Sequence, residues 1–551
     1  MITLDLETNL GHDTIWCAGV QDHSDTTASL LFEKKSLQQM LSTCDGVVGH
    51  NLIGFDLPVL RTCWQIETTV PVWDTLVMAR LLKPVINGGH SLKAWGKRLK
   101  FDKLDFDVTD FESGYTEEMG TYCKRDVEVT TKLFVALKKA LKVRGFSDYS
   151  IDLEHKVATI TAQQVANGFK LDVELAQGWS DQMAARLEHI EQELQALFPP
   201  IVTIRISEKT GKRLADGVEV FNVGSRQQIA KRLSSIGAVW TKQTPTGAPV
   251  VNEDTLKSLN MPEAELCAEY LGLVKLKGMV DSWLKALNPE TGRIHGRVNS
   301  CGAITGRMTH SSPNLAQIPS LQIARKCFTV DDGNVLVGCD ASGLELRCLA
   351  HYMRDSDYIK TVVEGVRENG TDIHTVNQHL AGLSHRDQAK TMIYALIYGA
   401  GDVKMGQIIG GDAAAGAALK EKFLNGLPAL RKLIDDTATD AQSKGYIKGI
   451  DGRVVWVDEP YKALNRLLQS CGAIVMKVAI VKCVEMLNDN NIPFKLVAQV
   501  HDEFQIETPA HFGKAVGLIA KKSIINAGVE LNLLCPMDGD YAIGANWSET
   551  H

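Results

Sequence analysis

The chain has 551 residues, 44% apolar and 23% charged, and a formal net charge of −7. That length allows three or four domains with substantial cores, and the ordinary composition excludes a low-complexity or disulfide-scaffold protein. The acidic balance neither announces nor excludes a nucleic-acid partner, because carboxylates gathered at metal sites lower the total while a basic groove persists elsewhere. No segment approaches the run of about 18 apolar residues expected of a membrane span, so no membrane partner is expected. Met1-Ile2-Thr3-Leu4-Asp5 reads as a start without a signal or transit peptide, and the twelve cysteines stand singly, as reduced thiols in a cytoplasm would.

In chain order, residues 1 to about 145 read as an α/β unit, with strands at Ile2–Leu6 and Val47–His50 and an amphipathic helix at Val127–Lys142. Residues 152–199 read as two long helices, the first ended by Gly168, the second capped by Asp172 and stopped by Pro199-Pro200. A short loop is expected at about 199–222, with Thr210-Gly211 and Asp216-Gly217 as turn signals, before helical patterns resume through 287. Gly296–Pro319 reads as an extended, hydrogen-bonded segment and Val335–Cys339 as a strand, with helices following to about 445. Lys495–Val500 and Phe504–Glu507 read as a hairpin with His501-Asp502-Glu503 at its tip.

Scattered carboxylates carry the chemistry. Alternation along a strand puts Asp5 and Glu7 on one face, where both can reach one hard cation or bridge two. Alone, an Asp-x-Glu pair is more often a solvated strand face. Here Asp56 follows a strand in His50-Asn51-Leu52-Ile53-Gly54-Phe55-Asp56, and Tyr122 and Asp126 fall one helical turn apart. In this order the residues resemble the 3′–5′ exonuclease domains of the DnaQ-like superfamily. The resemblance implies that Asp5, Glu7, Asp56 and Asp126 hold two metal ions and that Tyr122 orients the attacking water.

Further on, Asp340 ends a strand and small residues follow it, with the Ala341 carbonyl available as one more oxygen ligand. Arg386, Lys390, Tyr394 and Tyr398 recur every four residues, a slanted helical stripe of two cations and two aromatic rings that suits a triphosphate and a base. A plain amphipathic helix would show the same stripe, so it gains meaning only beside Asp340 and the Gln499-Val500-His501-Asp502-Glu503 tip.

Asp340-Ala341-Ser342-Gly343-Leu344-Glu345-Leu346-Arg347, the run from Arg386 to Gly401, Thr305-Gly306-Arg307 and the Asp502 tip together resemble family A DNA polymerases. This is the DNA polymerase I family, and the match is nearest to the replicative enzymes of short-tailed bacteriophages. The resemblance implies an α/β and α+β multidomain fold: an RNase H-like exonuclease over 1–148, thumb and connecting region over 149–330, and palm and fingers over 331–551, with fingers at about 370–450.

By the same resemblance Asp340 and Asp502, with the Ala341 carbonyl, bind two Mg2+ ions, Mn2+ being a substitute. Glu503 and His501 lie near the primer end. Arg386, Lys390 and His374 contact the incoming dNTP, and Lys390 also serves catalysis. Glu345 with Tyr398 excludes ribonucleotides, and the Tyr394 hydroxyl implies weak discrimination against dideoxynucleotides. Arg307, Asn465, Gln469, Gln499 and His501 touch primer–template DNA. The implied setting is a monomer replicating a phage genome in the host cytoplasm beside a helicase–primase and a single-strand-binding protein. No 5′-nuclease domain is expected, and no thioredoxin dependence, because the stretch at about 199–222 is too short for the insertion of the best-known phage relatives. A repair-type polymerase of the same family, or an accessory DNA-binding protein with decayed sites, are the competing readings; the second predicts lost carboxylates, and none is lost.

Overall fold

The computed structural model describes every residue except Val108, Thr109, Asp110, Ser113 and Ser207. These residues form two compact units: Met1–Phe169 with Gly296–Ile318 and Val330–His551, and Lys170–His295 with Pro319–Thr329.

The first unit opens with a five-stranded sheet, β1 (Ile2–Thr8), β2 (Ile15–Asp22), β3 (Ser29–Leu31), β4 (Val47–Gly49) and β5 (Val72–Asp74), in the order β3-β2-β1-β4-β5. Central β1 runs antiparallel to β2 and parallel to β4. Its alternation sends Ile2, Leu4 and Leu6 into a core with Leu37, Val47 and Leu60. The other face meets the long helix Glu117–Val143, where Thr131 Oγ1 donates to Thr3 Oγ1 at 2.8 Å. Gly19 lies opposite Asp5 in β2, and a Cβ there would sit 2.7 Å from Cys123 Sγ. The missing side chain lets the helix approach the carboxylates. That helix starts ten residues before the expected Val127, because the Thr116 hydroxyl accepts from Met119 N and caps it earlier.

A second sheet orders Lys495–Val500, Glu503–Pro509, Asn334–Ala341 and Gly539–Gly544, all antiparallel. Val337, Cys339, Phe504 and Ile506 share a core with Ile474 and Val478 of helix Ala463–Asp489 and Ile524 of helix Gly513–Glu530. Helices Ile373–Ala381, Arg386–Ile397, Ala413–Gly426 and Pro428–Lys444 extend this core through Met392, Ile393, Leu419 and Phe423. One expectation needs correction here. The segment Pro460–Asp489 is long and apolar enough to cross a membrane, but 83% of its apolar window is buried, which makes it a core helix.

The second unit is built on two long antiparallel helices, Val173–Leu197 and Pro262–Lys285, tied by Arg186–Glu269 at 2.7 Å and Ser180–Asp281 at 2.7 Å. Asp172 caps the first as expected. The stretch expected as a short loop is instead a hairpin, Ile201–Thr203 against Gly217–Glu219. The alternating β-branched run Ile201-Val202-Thr203-Ile204-Arg205-Ile206 outweighs the turn signals, of which Thr210-Gly211 falls between the strands and Gly217 begins the second. Val202, Ile204, Ile206, Leu214 and Val218 are exposed there.

A buried ionic cluster ties the first unit together. Glu154 of helix Asp148–Asn167 accepts from Lys477 at 2.7 Å and from Arg453 at 3.1 Å, and Arg453 also pairs with Asp451 at 2.7 Å. Removing one partner strands a buried charge. Glu154→Ala therefore lowers unfolding stability by about 3–5 kcal/mol, measured by denaturant titration; an unchanged midpoint would contradict this.

Candidate active sites

Around β1, four carboxylates converge. Asp5 and Glu7 share one face; Cys123 Sγ lies with their oxygens in a cluster within 4.8 Å. Asp56 Oδ1 accepts from Leu6 N at 3.0 Å, and Asp126 comes from the long helix. Burial, then Asp126, pushes Asp5 up to about 8; burial, then Asp5, pushes Glu7 up to about 10. Burial and Asp5 also hold Asp56 well above the ordinary range. Asp126 rises only to about 6, because Lys103 donates to its Oδ2 and opposes burial. The same ammonium stands 4.4 Å from the Tyr122 ring. Asp126 Oδ1 is buried without a partner. By contrast Asp74 is spent on structure, accepting from Asn51 N, Ile53 N and Leu76 N.

The second centre is made by sheet register. Asp340 lies opposite Glu503 on one side and Asp540 on the other, and Ala341 N donates to the Asp502 carbonyl at 3.0 Å. Burial, then Asp502, Glu503 and Asp540, pushes Asp340 up to about 7. Val500 pairs with Glu503, so only His501 and Asp502 turn the chain, with His501 at φ 57°. A non-glycine residue there costs on the order of 1–2 kcal/mol, which the surrounding sheet sustains.

Glu503 lies just past the hairpin tip at which the sequence expects it. It is the first residue of a strand and is 5% exposed. Its Oε1 accepts from Trp547 Nε1 at 2.6 Å and from Gln505 Nε2, and its Oε2 meets His551 Nδ1 at 2.5 Å.

Beside this centre, helix Arg386–Ile397 carries Arg386, Lys390 and Tyr394 on one stripe, with Tyr398 as its C-cap. Tyr398 Oη donates to Glu345 at 2.8 Å and Arg307 Nη2 reaches the same carboxylate at 3.3 Å. Arg386 is engaged with Asp372, Nη2 to Oδ1 at 2.7 Å; these bonds outweigh partial burial and hold Asp372 well below the carboxylate range. Asp372 also caps helix Ile373–Ala381 through His374 N. His374 Nδ1 is buried without a partner, its ring 6.2 Å from that of Tyr394.

A family model for DNA polymerase family A matches residues 185–549. The chain is 32% identical to the DNA-directed DNA polymerase of Enterobacteria phage T3, over 92% of each chain, and 30% identical to that of Escherichia phage T7 over the whole of both. The chain belongs to DNA polymerase family A. Thermostable DNA polymerase I of Thermus aquaticus is 27% identical over 72% of this chain and 48% of that one. The POL domain of Pol1 from M. smegmatis, in complex with DNA primer-template and dNTP, shares the fold at TM-score 0.82 and 19% identity, covering all of this chain and 95% of that one.

For this family A polymerase the structure brings together Asp340, Ala341, Asp502 and Glu503, and separately Asp5, Glu7, Asp56, Asp126 and Tyr122. A cavity of about 190 Å³ gathers Arg307, Gln499 and His501 with His310, Lys477 and Glu503. Asn465 and Gln469 lie on helix Ala463–Asp489 outside its lining, and Asn465 Nδ2 is buried without a partner.

Sequence reasoning missed Lys103, Cys123, Asp372, Asp540 and Trp547. Asp372 carries a readable cap signal in Thr371-Asp372-Ile373-His374. The others depend on register or long-range contact, which no local pattern announces.

Both Glu345 oxygens accept from Tyr398 Oη, at 2.8 and 3.0 Å, the pairing expected of a group that excludes ribonucleotides. Glu345→Ala raises ribonucleotide incorporation at least tenfold relative to deoxynucleotide, read by single-nucleotide extension; an unchanged sugar preference would refute the gate.

Proposed function

We propose that this family A, DNA-directed DNA polymerase replicates a phage genome, extending a primer at the Asp340 centre and proofreading 3′ to 5′ at the Asp5 centre. The observation that carries it is the crowding of Asp340 by Asp502, Glu503 and Asp540, which with burial pushes its carboxyl up to about 7. Such a site asks for a divalent cation. The residues fit Mg2+: carboxylate oxygens in both centres, the Ala341 carbonyl in the first, and the unpartnered Asp126 Oδ1 in the second.

Asp340, Asp502 and Ala341 would hold the polymerase ions, and Asp5, Glu7, Asp56 and Asp126 the exonuclease ions, with Mn2+ as a substitute. When bound, the ions supply charge stabilisation to the attacking and leaving oxygens of phosphoryl transfer.

The side chains do the rest. Lys390 and Arg386 neutralise the triphosphate of the incoming dNTP, with Asp372 releasing or presenting Arg386. His374 offers its free Nδ1 to the same phosphates. Tyr394 packs against the nucleotide, and Glu345 with Tyr398 bars a 2′-hydroxyl. Arg307, Asn465, Gln469, Gln499 and His501 touch the primer–template, where minor-groove acceptors are nearly independent of sequence. In the other centre Tyr122, fixed beside Lys103, orients the attacking water.

This reading takes residues 1–148 as the exonuclease domain, 149–330 as thumb and connecting region, and 331–551 as palm and fingers. It places the enzyme as a monomer in the host cytoplasm with a helicase–primase and a single-strand-binding protein. The hairpin at Ile201–Glu219 is short, which supports independence from thioredoxin.

Primer extension in Mg2+ tests both centres at once. Asp340→Ala abolishes extension, whereas Asp5→Ala spares extension and removes primer degradation. Extension surviving Asp340→Ala, or degradation surviving Asp5→Ala, would sink the corresponding assignment.

A further inference from the structure

The helix that delivers Asp126 has a second face that neither centre uses. Arg125, Lys132 and Lys139 recur every seven residues, drifting about 20° per step, so they form one straight ridge with charges roughly 10.5 Å apart. Asp126 lies about 100° around the helix from Arg125, so the ridge is separate from the carboxylates though it begins beside them. Lys142 and Arg144 continue the positive charge beyond the ridge.

Three observations set this face apart. First, the sequence from Val129 to Ser147 has five cations and no Asp or Glu, and Thr75 to Phe101, in the helices packed alongside, has six cations and none, in a chain of net charge −7. Second, several lysines on other helices are neutralised one turn away, as in Lys156–Asp152, Lys432–Asp436 and Lys444–Asp440. Among the described residues Lys132, Lys138, Lys139, Lys142 and Arg144 form no carboxylate pair; on the ridge only Arg125 has one, to Glu128 at 3.6 Å. Third, aromatic rings seat the cations. Lys132 Nζ lies 3.6 Å and Arg125 Cζ 4.3 Å from the Phe101 centroid, Lys138 Nζ lies 5.8 Å from Trp73, and Arg144 Cζ 4.9 Å from Trp456. Phe101 is two residues before Lys103, so the ridge starts at the edge of the Asp5 centre.

We propose that the Arg125–Lys132–Lys139 ridge, continued by Lys142 and Arg144, binds the phosphate backbone of single-stranded DNA outside both carboxylate centres. A single convex helix offers one line of charge, which suits one strand rather than the two of a duplex. Arg125, Lys132, Lys138 and Arg144 already lie against the neighbouring rings, so the contact offered is charge to backbone phosphate rather than base readout. Three phosphate contacts on a single strand contribute a salt slope of about 2. The inference does not depend on hydrolysis at the Asp5 centre: failure of the exonuclease reading would appear as an undegraded primer and leave the slope untouched.

The test is the full-length protein with Lys132→Gln, Lys139→Gln and Lys142→Gln combined, in EDTA to prevent hydrolysis, titrated with a fluorescent oligothymidylate and with a blunt hairpin duplex across a salt series. The variant should lose about two from the slope of log affinity against log salt for the single strand and leave the duplex slope unchanged. A control with Lys156→Gln, Lys432→Gln and Lys444→Gln, equal in charge lost, should match wild type. An unchanged single-strand slope would overturn the proposal and leave the ridge to an acidic protein partner; an equal loss in the control would overturn it in favour of net charge alone.

Discussion

Carboxylates crowded together by the fold, buried or half-buried, are the constraint on which the rest depends. In each centre a strand held by backbone hydrogen bonds presents one or two carboxylates, and further ones arrive from elements distant in sequence. β1 presents Asp5 and Glu7; the strand Asn334–Ala341 presents Asp340 between Glu503 and Asp540. Burial first, and repulsion between neighbouring carboxylates second, push Asp5, Glu7 and Asp340 up to about 8, 10 and 7. The fold holds them regardless, because the ladders and cores around them are not theirs to break.

The two centres relieve this crowding differently. The first contains its own cation, Lys103, which neutralises Asp126 and steadies Tyr122. In the second, Lys521 reaches Asp540 at 3.9 Å, while the charged groups acting on Asp340 are carboxylates. This centre removes one carboxylate from competition by burying Glu503 under Trp547, Gln505 and His551. Gly338 makes this possible: a Cβ there would lie 2.3 Å from the Thr550 carbonyl and 2.4 Å from Gln505 Nε2. A small residue in a strand thus decides which carboxylates remain free for chemistry.

Much of this was legible in the sequence, and the failures have physical causes. Strands with one apolar face and helices with polar caps announce themselves, so β1, the Asp340 strand, the hairpin around Asp502 and the Asp172 cap fall where their residues predict. The Ile201–Glu219 hairpin was hidden because Gly-containing turn signals dominate a short window, while the β-branched alternation beside them forms the ladder. Glu503 reads as a tip residue because the turn needs only two residues, a detail of register. Asp540 and Lys103 were invisible: one enters through an edge strand far along the chain, the other from just past helix Leu92–Leu99 to a carboxylate 23 residues on. Tertiary contacts carry no local signature.

On the proposed function, cations replace protons in both centres. Calorimetric titration of the metal-free protein with Mg2+ at pH 7, in buffers of different ionisation enthalpy, counts the protons released per ion bound. Groups held at about 7, 8 and 10 are wholly or partly protonated at that pH and must ionise to bind a cation. The account predicts net proton release, diminished by Asp340→Asn and by Asp5→Asn separately. Magnesium binding with no proton release, or release untouched by both substitutions, would contradict it.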